Sequence, residues 1–507
     1  MSYEAERRIY STDFKYSDEK KIARRLEFRL KGKVPAMLNL FTFIYPSKTL
    51  AELYNPITYM NQKLSLSQIR VQISKKIKIE LQKLRKYEHG GILNSRKDSN
   101  RWYYLAPMLM DGLDYVEAWF STIQPDNDEL KNEKDENRYS AYLSFLGKSL
   151  QQEISLGKMP DDLADYLTEA AISSFAVCYY RSCKKYEDEN YAVLKNATDF
   201  AKVFINNFNA PEVIAVVDKL YKGGYLEKVL HYCSDGCFQG MLDEYIHLLQ
   251  KNDNGSFQSE LIKNLDMIQT SHYEIDTAEA FENDVKNAVA QQNAKKNEEI
   301  TKLPVREKKI NMRSHFAVCF SKSVEKNDGD RKENLRNAFN SPLRPFVLAS
   351  TSIGQEGLDF HNYCRRIMHW NLPSNPIDLE QREGRINRYK CLAIRQNVVL
   401  LHGNMEFSEK ESMWNQLFAE AQQRENGGHY SELIPFWVFG KNQKIKIERI
   451  VPIYPMSSDV TRYERLIKIL SLYRMTLGQP RQEELLEYVF SNYDGEELKD
   501  MKDLFID

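Results

Sequence analysis

The sequence predicts an α/β protein in which a parallel sheet is flanked by helical regions. Two observations favour this fold class. Between residues 226 and 405, short apolar runs alternate with helical patterns, as they do in βαβ units. On either side of that stretch, apolar residues recur mainly at the three- and four-residue spacing of helices. The chain of 507 residues is long enough for about three domains.

The composition is typical of a folded, soluble protein. Hydrophobic residues make up 42% of the chain and aromatic residues 12%, which excludes a mainly disordered protein. The longest apolar run, residues 34–45, is shorter than the roughly 20 residues that span a bilayer, and the amino terminus lacks the apolar segment of a signal peptide. We therefore expect a cytoplasmic location and no membrane partner. Because basic residues number 71 and acidic residues 72, any binding to nucleic acid must depend on local patches.

The residue types that bind metals do not occur at ligand spacing. The seven cysteines form no C-x-x-C pair and no dense disulfide pattern, so we expect them to be reduced and structural. His315, His361 and His369 show no spacing such as H-E-x-x-H, which favours packing or hydrogen-bonding roles. No metal site of the chain's own is predicted.

Residues 1–135 are predicted to form an amino-terminal segment that ends a larger structure. Residues 41–46 (FTFIYP) are a strand-like run closed by proline. From Leu64 to Lys86, apolar residues recur at helical spacing among seven basic residues, with Glu80 as the single acid, which predicts the most basic helix of the chain. A solvated face is the usual explanation for such a helix, and a face that contacts phosphates is the alternative.

Three further regions follow this segment. An acidic stretch, residues 125–136, predicts a linker, and residues 136–225 read as a helical region. Residues 226–405 carry the predicted sheet, with a polar stretch near 288–309 that we expect to be an exposed helix or an insertion. Residues 406–507 are predicted to be helical again.

Five apolar runs supply the strands of the predicted sheet, and helices are expected at 241–249 and 330–339. The predicted strands are residues 228–233, 315–320, 346–350, 366–370 and 397–401. In parallel sheets of this kind, ligands bind at the carboxyl ends of the strands. The loop after the third strand, residues 350–360 (STSIGQEGLDF), offers hydroxyl groups and glycine backbone N–H groups at such an end, a combination that suits a phosphate.

A helix with polar residues follows the fourth predicted strand. Asn375 is a good N-cap and Pro376 a good first helical residue. Gln381, Arg385 and Arg388 lie at i, i+4 and i+7, which predicts that they share one face of this helix. In isolation, a solvated polar stripe would be the more common explanation. The order of the parts, a strand, a loop, a second strand and then this helix, favours a function instead.

The ordered parts resemble the second RecA-like lobe of superfamily-two helicases and translocases. Residues 350–360 look like motif V, and residues 381–388 (QREGRINR) match the motif VI form Q-x-x-G-R-x-x-R. The sequence of residues 370–388 is most similar to the Swi/Snf-related group, especially its RapA-like bacterial branch. A weaker similarity, to helicase proteins of phage-defence islands, extends to residues 414–418 and 478–483. The resemblance implies a RecA-like lobe over 226–405, with residues 228–234 as its motif IV strand.

The resemblance also implies roles for single residues. Arg385 and Arg388 become candidate arginine fingers for the γ-phosphate of ATP, because a planar, permanently charged guanidinium suits a developing phosphoryl charge. Gln381 would sense bound nucleotide, and Asp359 would accept a hydrogen bond from the ribose or couple motif V to motif VI. The remaining candidates are Gly357 and Gly384 at the nucleotide, and Ser350, Thr351 and Ser352 on the phosphates of bound DNA. The cofactor implied is ATP with Mg²⁺.

The nucleotide cradle of a complete translocase is missing from the sequence. We find no phosphate loop of the form G-x-x-x-x-G-K-[ST] and no acid box in a suitable place. Residues 147–149 (GKS) and 242–245 (LDEY) look similar but lack the required context. We therefore expect either a partner protein that carries the first RecA-like lobe, a truncated reading frame, or a loss of ATPase activity. The alternative functions are an ATP-independent nucleic-acid-binding or regulatory subunit and a purely structural subunit of a defence complex.

Overall fold

The chain divides into two compact units, which are described separately. The first comprises Met1–Ala317 and Glu406–Ser412, and the second comprises Val318–Met405 and Met413–Asp507. The structure is a computed structural model, and it describes residues 25–31, 34–88, 100–123, 133–151, 156–184, 192–209, 211–249, 336, 339–342, 347–349, 359–409, 411–425, 433–439 and 443–475. None of its described helices is both long and apolar enough to cross a membrane.

The described part of the first unit consists almost entirely of helices. Two short strands, β1 (Leu30–Lys31) and β2 (Val34–Pro35), pair antiparallel before the helices begin. Turns of 3₁₀ helix lie at Leu38–Leu40 and Leu84–Tyr87. The α-helices are α1 (Phe41–Ile44), α2 (Lys48–Leu53), α3 (Pro56–Asn61), α4 (Leu66–Lys83), α5 (Trp102–Asp111), α6 (Leu113–Thr122), α7 (Glu133–Gln151), α8 (Leu163–Ser173), α9 (Phe175–Cys183), α10 (Ala192–Phe208), α11 (Pro211–Leu220), α12 (Tyr225–Asp235) and α13 (Phe238–Leu249).

The core of the first unit lies around α8 and α9. Every residue of α8 except Asp165 is buried, which fits a sequence with three alanines and only two charged residues. Phe175, at the start of α9, stacks on Phe43 at a ring-centroid distance of 4.6 Å and also contacts Phe204 and Phe238. Aromatic pairs of this kind add about 0.5–1.5 kcal/mol each beyond their buried area. This cluster therefore holds α1, α9, α10 and α13 together.

The basic helix that the sequence predicts is confirmed as α4. It begins at a capping box in which the Ser65 hydroxyl accepts from the Gln68 N–H and the Gln68 side chain accepts from the Ser65 N–H. Ile73, Ile77 and Leu81 recur every four residues and are buried, so the helix packs by that face. Its lysines consequently lie on the opposite side.

Residues 41–46 do not form the predicted strand, because residues 41–44 are helix α1. Phe41, Phe43 and Ile44 are fully buried, and a segment that is apolar on every side fits a buried helix as well as a buried strand. Residues 147–149 lie within α7, where no phosphate loop can form. In α13, Asp243 accepts hydrogen bonds from Ser182 and Gln239, so this acid of the 242–245 segment has a structural role.

The described part of the second unit is a small parallel sheet with helices around it. Strands β3 (Arg366–Met368) and β4 (Glu448–Ile450) pair parallel, with Arg366 opposite Glu448 and Met368 opposite Ile450. The helices are α14 (Pro376–Glu383), α15 (Leu392–His402), α16 (Met413–Glu425) and α17 (Asp459–Met475). Helix α17 packs against α14 and α16 packs against α15. The fourth predicted strand, at residues 366–370, is thus confirmed as β3.

Two other predicted strands are wrong, because residues 228–233 lie in α12 and residues 397–401 lie in α15. Helix α12 buries Leu226, Val229 and Cys233, at the spacing of one helical stripe, and α15 buries residues 393–395, 397 and 398. A short apolar run does not by itself distinguish a strand from a buried helix. Of the predicted strand at 346–350, the described residues 347–349 form no strand. The predicted strand at 315–320 and the polar stretch 288–309 lie outside the described residues.

The division into units differs from the boundaries expected from the sequence. Residues 226–249 pack with the amino-terminal helices in the first unit, although the sequence groups them with the sheet. Strand β4 and α17, from the expected helical tail, pack in the second unit instead. The sheet therefore receives a strand from sequence beyond residue 405.

Candidate functional site

The predicted site centres on the carboxyl end of α14 and the turn that follows it. Asn375 caps the helix as expected, because its Oδ1 accepts a 2.9 Å hydrogen bond from the Ile377 N–H and Pro376 is the first helical residue. The helix ends at Glu383, and the Gly384 N–H donates to the Glu380 carbonyl at 2.7 Å. The sequence thus fixes both ends of α14.

The expectation that Gln381, Arg385 and Arg388 share one helical face is wrong, because the helix stops before the arginines. Gln381 is exposed on the last turn of α14, whereas Arg385 and Arg388 lie in the irregular segment after Gly384. Glycine is a poor helix former, and it ends α14 here. The turn then directs Ile386 into the core, where it is 4% exposed.

The end of the predicted motif V segment lies against this turn. The Phe360 N–H donates to the Arg385 carbonyl at 2.9 Å. Beside this bond, Arg388 Nη2 lies 3.0 Å from Asp359 Oδ1, and both side chains are about half exposed, at 43% and 49%. The structure therefore brings together Asp359, Arg385 and Arg388, three of the residues singled out in the sequence.

A small apolar cluster anchors these two segments to each other. Its buried members are Phe339, Phe360 and Ile386, and Phe339 meets Phe360 edge to face at 5.5 Å. Ile367 of β3 and Ile447, next to β4, pack against it. The end of the predicted motif V segment, the turn and the sheet thus share one core, so movement of one is coupled to the others by packing.

Asn340 also holds the end of motif V in place. Its side-chain amide donates to the Asp359 carbonyl at 2.5 Å, and its Oδ1 accepts from the Asn362 N–H at 3.4 Å. Asn340 thereby bridges two backbone positions on either side of Phe360. The polarity of this residue gave no signal in the sequence, because its partners lie about 20 residues further along the chain.

Arg395 is a second residue that sequence reasoning missed. It lies on α15 and is 1% exposed, and its guanidinium donates to the carbonyls of Lys390 and Asn362. Its guanidinium also lies over the Tyr363 ring. A buried guanidinium is tolerated only when its donors are satisfied, and here backbone carbonyls satisfy them. Arg395 thus ties the end of the arginine turn to the segment that follows motif V.

A charged network fixes the last residue of α14. The Glu383 carboxylate accepts two hydrogen bonds from Arg449 of β4, one of them 2.7 Å from Nη2, and lies 3.3 Å from His369 Nε2. Arg449 also donates to the Tyr463 hydroxyl on α17 at 3.2 Å. Burial raises the pKa of the Glu383 carboxyl, but the hydrogen bonds from His369 and Arg449 outweigh it and lower the pKa to about 2. Glu383 is therefore ionised at neutral pH and binds β4 to the start of the turn.

The other predicted site residues lie outside the described residues, namely Ser350, Thr351, Ser352 and Gly357. Within the described part of the chain, no group of three or more His, Cys, Asp or Glu side chains is arranged to hold a metal ion. The cysteines in that part, residues 178, 183, 233, 237, 364 and 391, are free thiols. The described site thus offers guanidinium groups and one carboxylate to a ligand.

These side chains fit the part of a nucleotide site that contacts a phosphate and the ribose. The partly exposed guanidinium of Arg388 suits a phosphate, and the Asp359 carboxylate beside it suits a ribose hydroxyl. A magnesium-bound triphosphate also needs a phosphate loop and an acid box, and the sequence contains neither in a suitable context.

Comparison with known proteins relates this region of the chain to a known domain family. A family model for the helicase conserved C-terminal domain matches residues 290–390. The chain matches no curated protein and no solved structure. The matched span includes residues 350–360 and 381–388 and ends just after Arg388, which supports a helicase C-terminal domain of the superfamily-two type in this part of the chain, a domain with a RecA-like fold. Residues 228–234, the expected motif IV, lie before the match and are helical.

Proposed function

We propose that the chain is the carboxyl-terminal part of an ATP-dependent DNA translocase or helicase of the Swi/Snf-related, RapA-like type. The observation that carries this proposal is the contact between the end of motif V and the arginine turn, within a span that resembles a helicase C-terminal domain. The assembled enzyme hydrolyses ATP and moves along DNA. Motif V contacts the DNA backbone, and motif VI contacts the nucleotide.

The two arginines act on the phosphoryl group. Bound ATP with Mg²⁺ supplies the γ-phosphoryl group that is transferred to water. Arg385 and Arg388 place permanent positive charge where negative charge develops, which lowers the barrier without any proton transfer. Gln381, exposed at the end of α14, senses the nucleotide, and Gly384 ends the helix so that the arginines can extend from a turn.

Asp359 couples the nucleotide side to the DNA side. Its carboxylate holds Arg388, and its own backbone continues into motif V, where Ser350, Thr351 and Ser352 are proposed to contact the DNA phosphates and Gly357 to lie at the nucleotide. Such contacts are independent of base sequence. A change at the nucleotide is thereby transmitted to the DNA contacts through a few residues of one segment.

The motif IV assignment of residues 228–234 is not part of this proposal. These residues are helical, and they precede the span that matches the family.

The first RecA-like lobe, with ATP and Mg²⁺ bound mainly to it, is proposed to come from a separate protein. Support comes from the two look-alike segments, since residues 147–149 lie inside α7 and Asp243 is held by Ser182 and Gln239. Neither can form a nucleotide cradle. The arginines would then act in trans across the interface with the partner.

The test is the ATPase activity of the chain mixed with the product of the upstream reading frame, with and without double-stranded DNA. We expect activity only in the mixture, and we expect Arg385→Ala or Arg388→Ala to reduce it on the order of a thousandfold. Arg424→Ala is the control, because Arg424 is exposed on α16 and pairs only with Glu420 among the described residues. Full activity in both arginine variants would refute the finger assignment.

The second candidate function is an ATP-independent nucleic-acid-binding or regulatory subunit of a bacterial defence complex. The observation in its favour is the missing phosphate loop. It predicts that the chain binds DNA, that no mixture hydrolyses ATP, and that the arginine variants lose only DNA binding or partner binding. The same ATPase experiment therefore distinguishes the two functions.

A further inference from the structure

The outer side of α4 and of the 3₁₀ turn after it carries a row of basic side chains, which we call the basic face. Its members are Lys75, Lys78, Lys83, Arg85 and Lys86. All five are exposed, since α4 packs through Ile73, Ile77 and Leu81 on its other side. The orientation of the helix is therefore fixed by its buried stripe, and the basic residues face outward as a consequence.

Most of the basic face lacks the acidic partners that usually neutralise a surface lysine. Lys83 pairs with Glu80 at 2.7 Å, and Lys86 lies over the Tyr87 ring at 5.0 Å. Lys75, Lys78 and Arg85 have no ion-pair partner among the described residues. The excess positive charge of this face is therefore uncompensated within the described part of the chain.

The remaining basic residues of α4 have structural partners and are not part of this face. Arg70 pairs with the buried Glu169 at 2.6 Å and with Asp235 at 2.8 Å. Lys76 donates to the Tyr59 hydroxyl at 3.0 Å. The helix and its 3₁₀ turn thus contain two classes of basic residue: those that contact other elements of the first unit, and those that, among the described residues, contact only their own segment or have no ion-pair partner.

We infer that the basic face binds the phosphate backbone of nucleic acid, as a contact separate from motif V. From Lys75 to Lys86 the helix and its 3₁₀ turn extend about 16 Å, which is comparable to two or three successive phosphates of one strand. Lysines on a helix surface contact phosphates as point charges, so this binding is independent of base sequence. The choice of nucleic acid as the ligand rests on the proposed function, while the face itself lies outside the span that matches the helicase domain.

An anionic membrane surface fits this face less well. A helix that lies in a membrane interface buries a wide apolar side opposite its lysines, and the apolar side of α4 is already buried in the first unit. On the outer side, Val71 and Ile79 are the large apolar side chains exposed on α4. Two such residues among the lysines supply little apolar area for insertion.

The test replaces Lys75, Lys78 and Lys86 together with glutamine in the full chain. Binding of a fluorescein-labelled 30-base-pair DNA is followed by anisotropy over a range of NaCl concentrations. Loss of two to three phosphate contacts should make the slope of log K against log salt less negative by about 2, and should weaken binding about a hundredfold at 0.1 M salt. The substituted residues are exposed, so the thermal unfolding of the variant should match that of the natural chain.

A matched control separates local charge from net charge. Lys195, Lys219 and Lys222 are exposed on other parts of the first unit, and their replacement by glutamine changes the net charge by the same amount. We expect this control to keep the salt slope of the natural chain. An equal loss in the control, or an unchanged slope in the α4 variant, would overturn the basic face as a binding site.

Three further outcomes are informative. If the α4 variant loses binding to phosphatidylserine vesicles while its DNA salt slope stays unchanged, the face belongs to a membrane surface and the inference is wrong. If the salt slope becomes less negative as expected, but the chain mixed with the product of the upstream reading frame does not hydrolyse ATP, the basic face is confirmed and the proposed enzymatic function fails. If instead ATPase activity depends on Arg385 and Arg388 but the slope does not change, the inference alone fails.

Discussion

Replacement of Glu383 by glutamine should remove a pH-dependent part of the stability of the second unit. Glu383 ends α14 and binds Arg449 of β4 and His369, with the Glu383 side chain 16% exposed. Its pKa falls from 4.5 to about 2 in the folded chain. A lowering of that size corresponds to about 3 kcal/mol of stability when the carboxylate is ionised in both states.

The sign follows from the direction of the pKa shift. A carboxyl whose folded pKa is lowered contributes its full stability above the unfolded pKa of about 4.5, and this contribution is lost as the pH falls through about 2. Glu383→Gln cannot titrate, so it lacks this contribution at every pH. We therefore expect the variant to be about 3 kcal/mol less stable at pH 7, and we expect the difference to shrink progressively between pH 4.5 and pH 2.

The assay must read the second unit by itself, since a chain with two units need not unfold in one step. Urea unfolding followed by hydrogen exchange and mass spectrometry gives separate values for peptides of residues 359–402 and 443–475. Glu420→Gln is the control, because Glu420 pairs with the exposed Arg424 on the same helix, and such pairs contribute about 0.5 kcal/mol or less. A pH-independent difference for Glu383→Gln, or an equally large effect of Glu420→Gln, would refute the reasoning.

Two further predictions concern other buried or paired groups. Arg395→Met should destabilise the second unit by about 2–3 kcal/mol, because it leaves the carbonyls of Lys390 and Asn362 without their donor, and differential scanning calorimetry at pH 7 checks this. The hydrogen bond to Glu169 raises the pKa of His231, so this pair stabilises the first unit fully below pH of about 6.5 and loses its effect as the pH rises through the folded pKa. His231→Gln should abolish this pH-dependent part of the first unit's stability. Hydrogen exchange in α8 and α12 at pH 6 and pH 8 would detect the loss, and an unchanged pH dependence of the stability in the variant would contradict the prediction.

Local sequence signals predicted the local parts of the site. The Asn375 side chain fixes the start of α14 through a hydrogen bond to a residue two positions further on, and Ser65 and Gln68 fix the start of α4 through hydrogen bonds between residues three positions apart. The motif VI spacing identified the arginines correctly as neighbours, but not their conformation. Gly384, a poor helix former, ends the helix three residues after Gln381, so the two arginines lie beyond the helical face on which they were predicted.

The parts that sequence reasoning missed depend on partners far along the chain. Strand β4 consists of three residues, and its pairing with β3 joins segments about 80 residues apart. Arg449 has no neighbour in sequence that reveals its bond to Glu383, and Arg395 reads as an ordinary helix residue until its carbonyl partners are known. The misassigned helix α12 is different, because the spacing of Leu226, Val229, Leu230 and Cys233 already carried the helical period.

The two kinds of contact at the arginine turn differ in strength, and this difference suits a nucleotide-dependent switch. The ion pair between Asp359 and Arg388 is about half exposed, so it contributes about 0–1 kcal/mol. A phosphate can therefore take Arg388 from Asp359 at small cost. The contact between Phe360 and Ile386 is buried, and the bond from the Phe360 N–H to the Arg385 carbonyl lies beside it, so the two segments stay joined while the guanidinium changes partner. Under the proposed function, release of the Asp359 side chain, rather than separation of the two segments, would be the step by which nucleotide binding at Arg388 affects the predicted motif V segment.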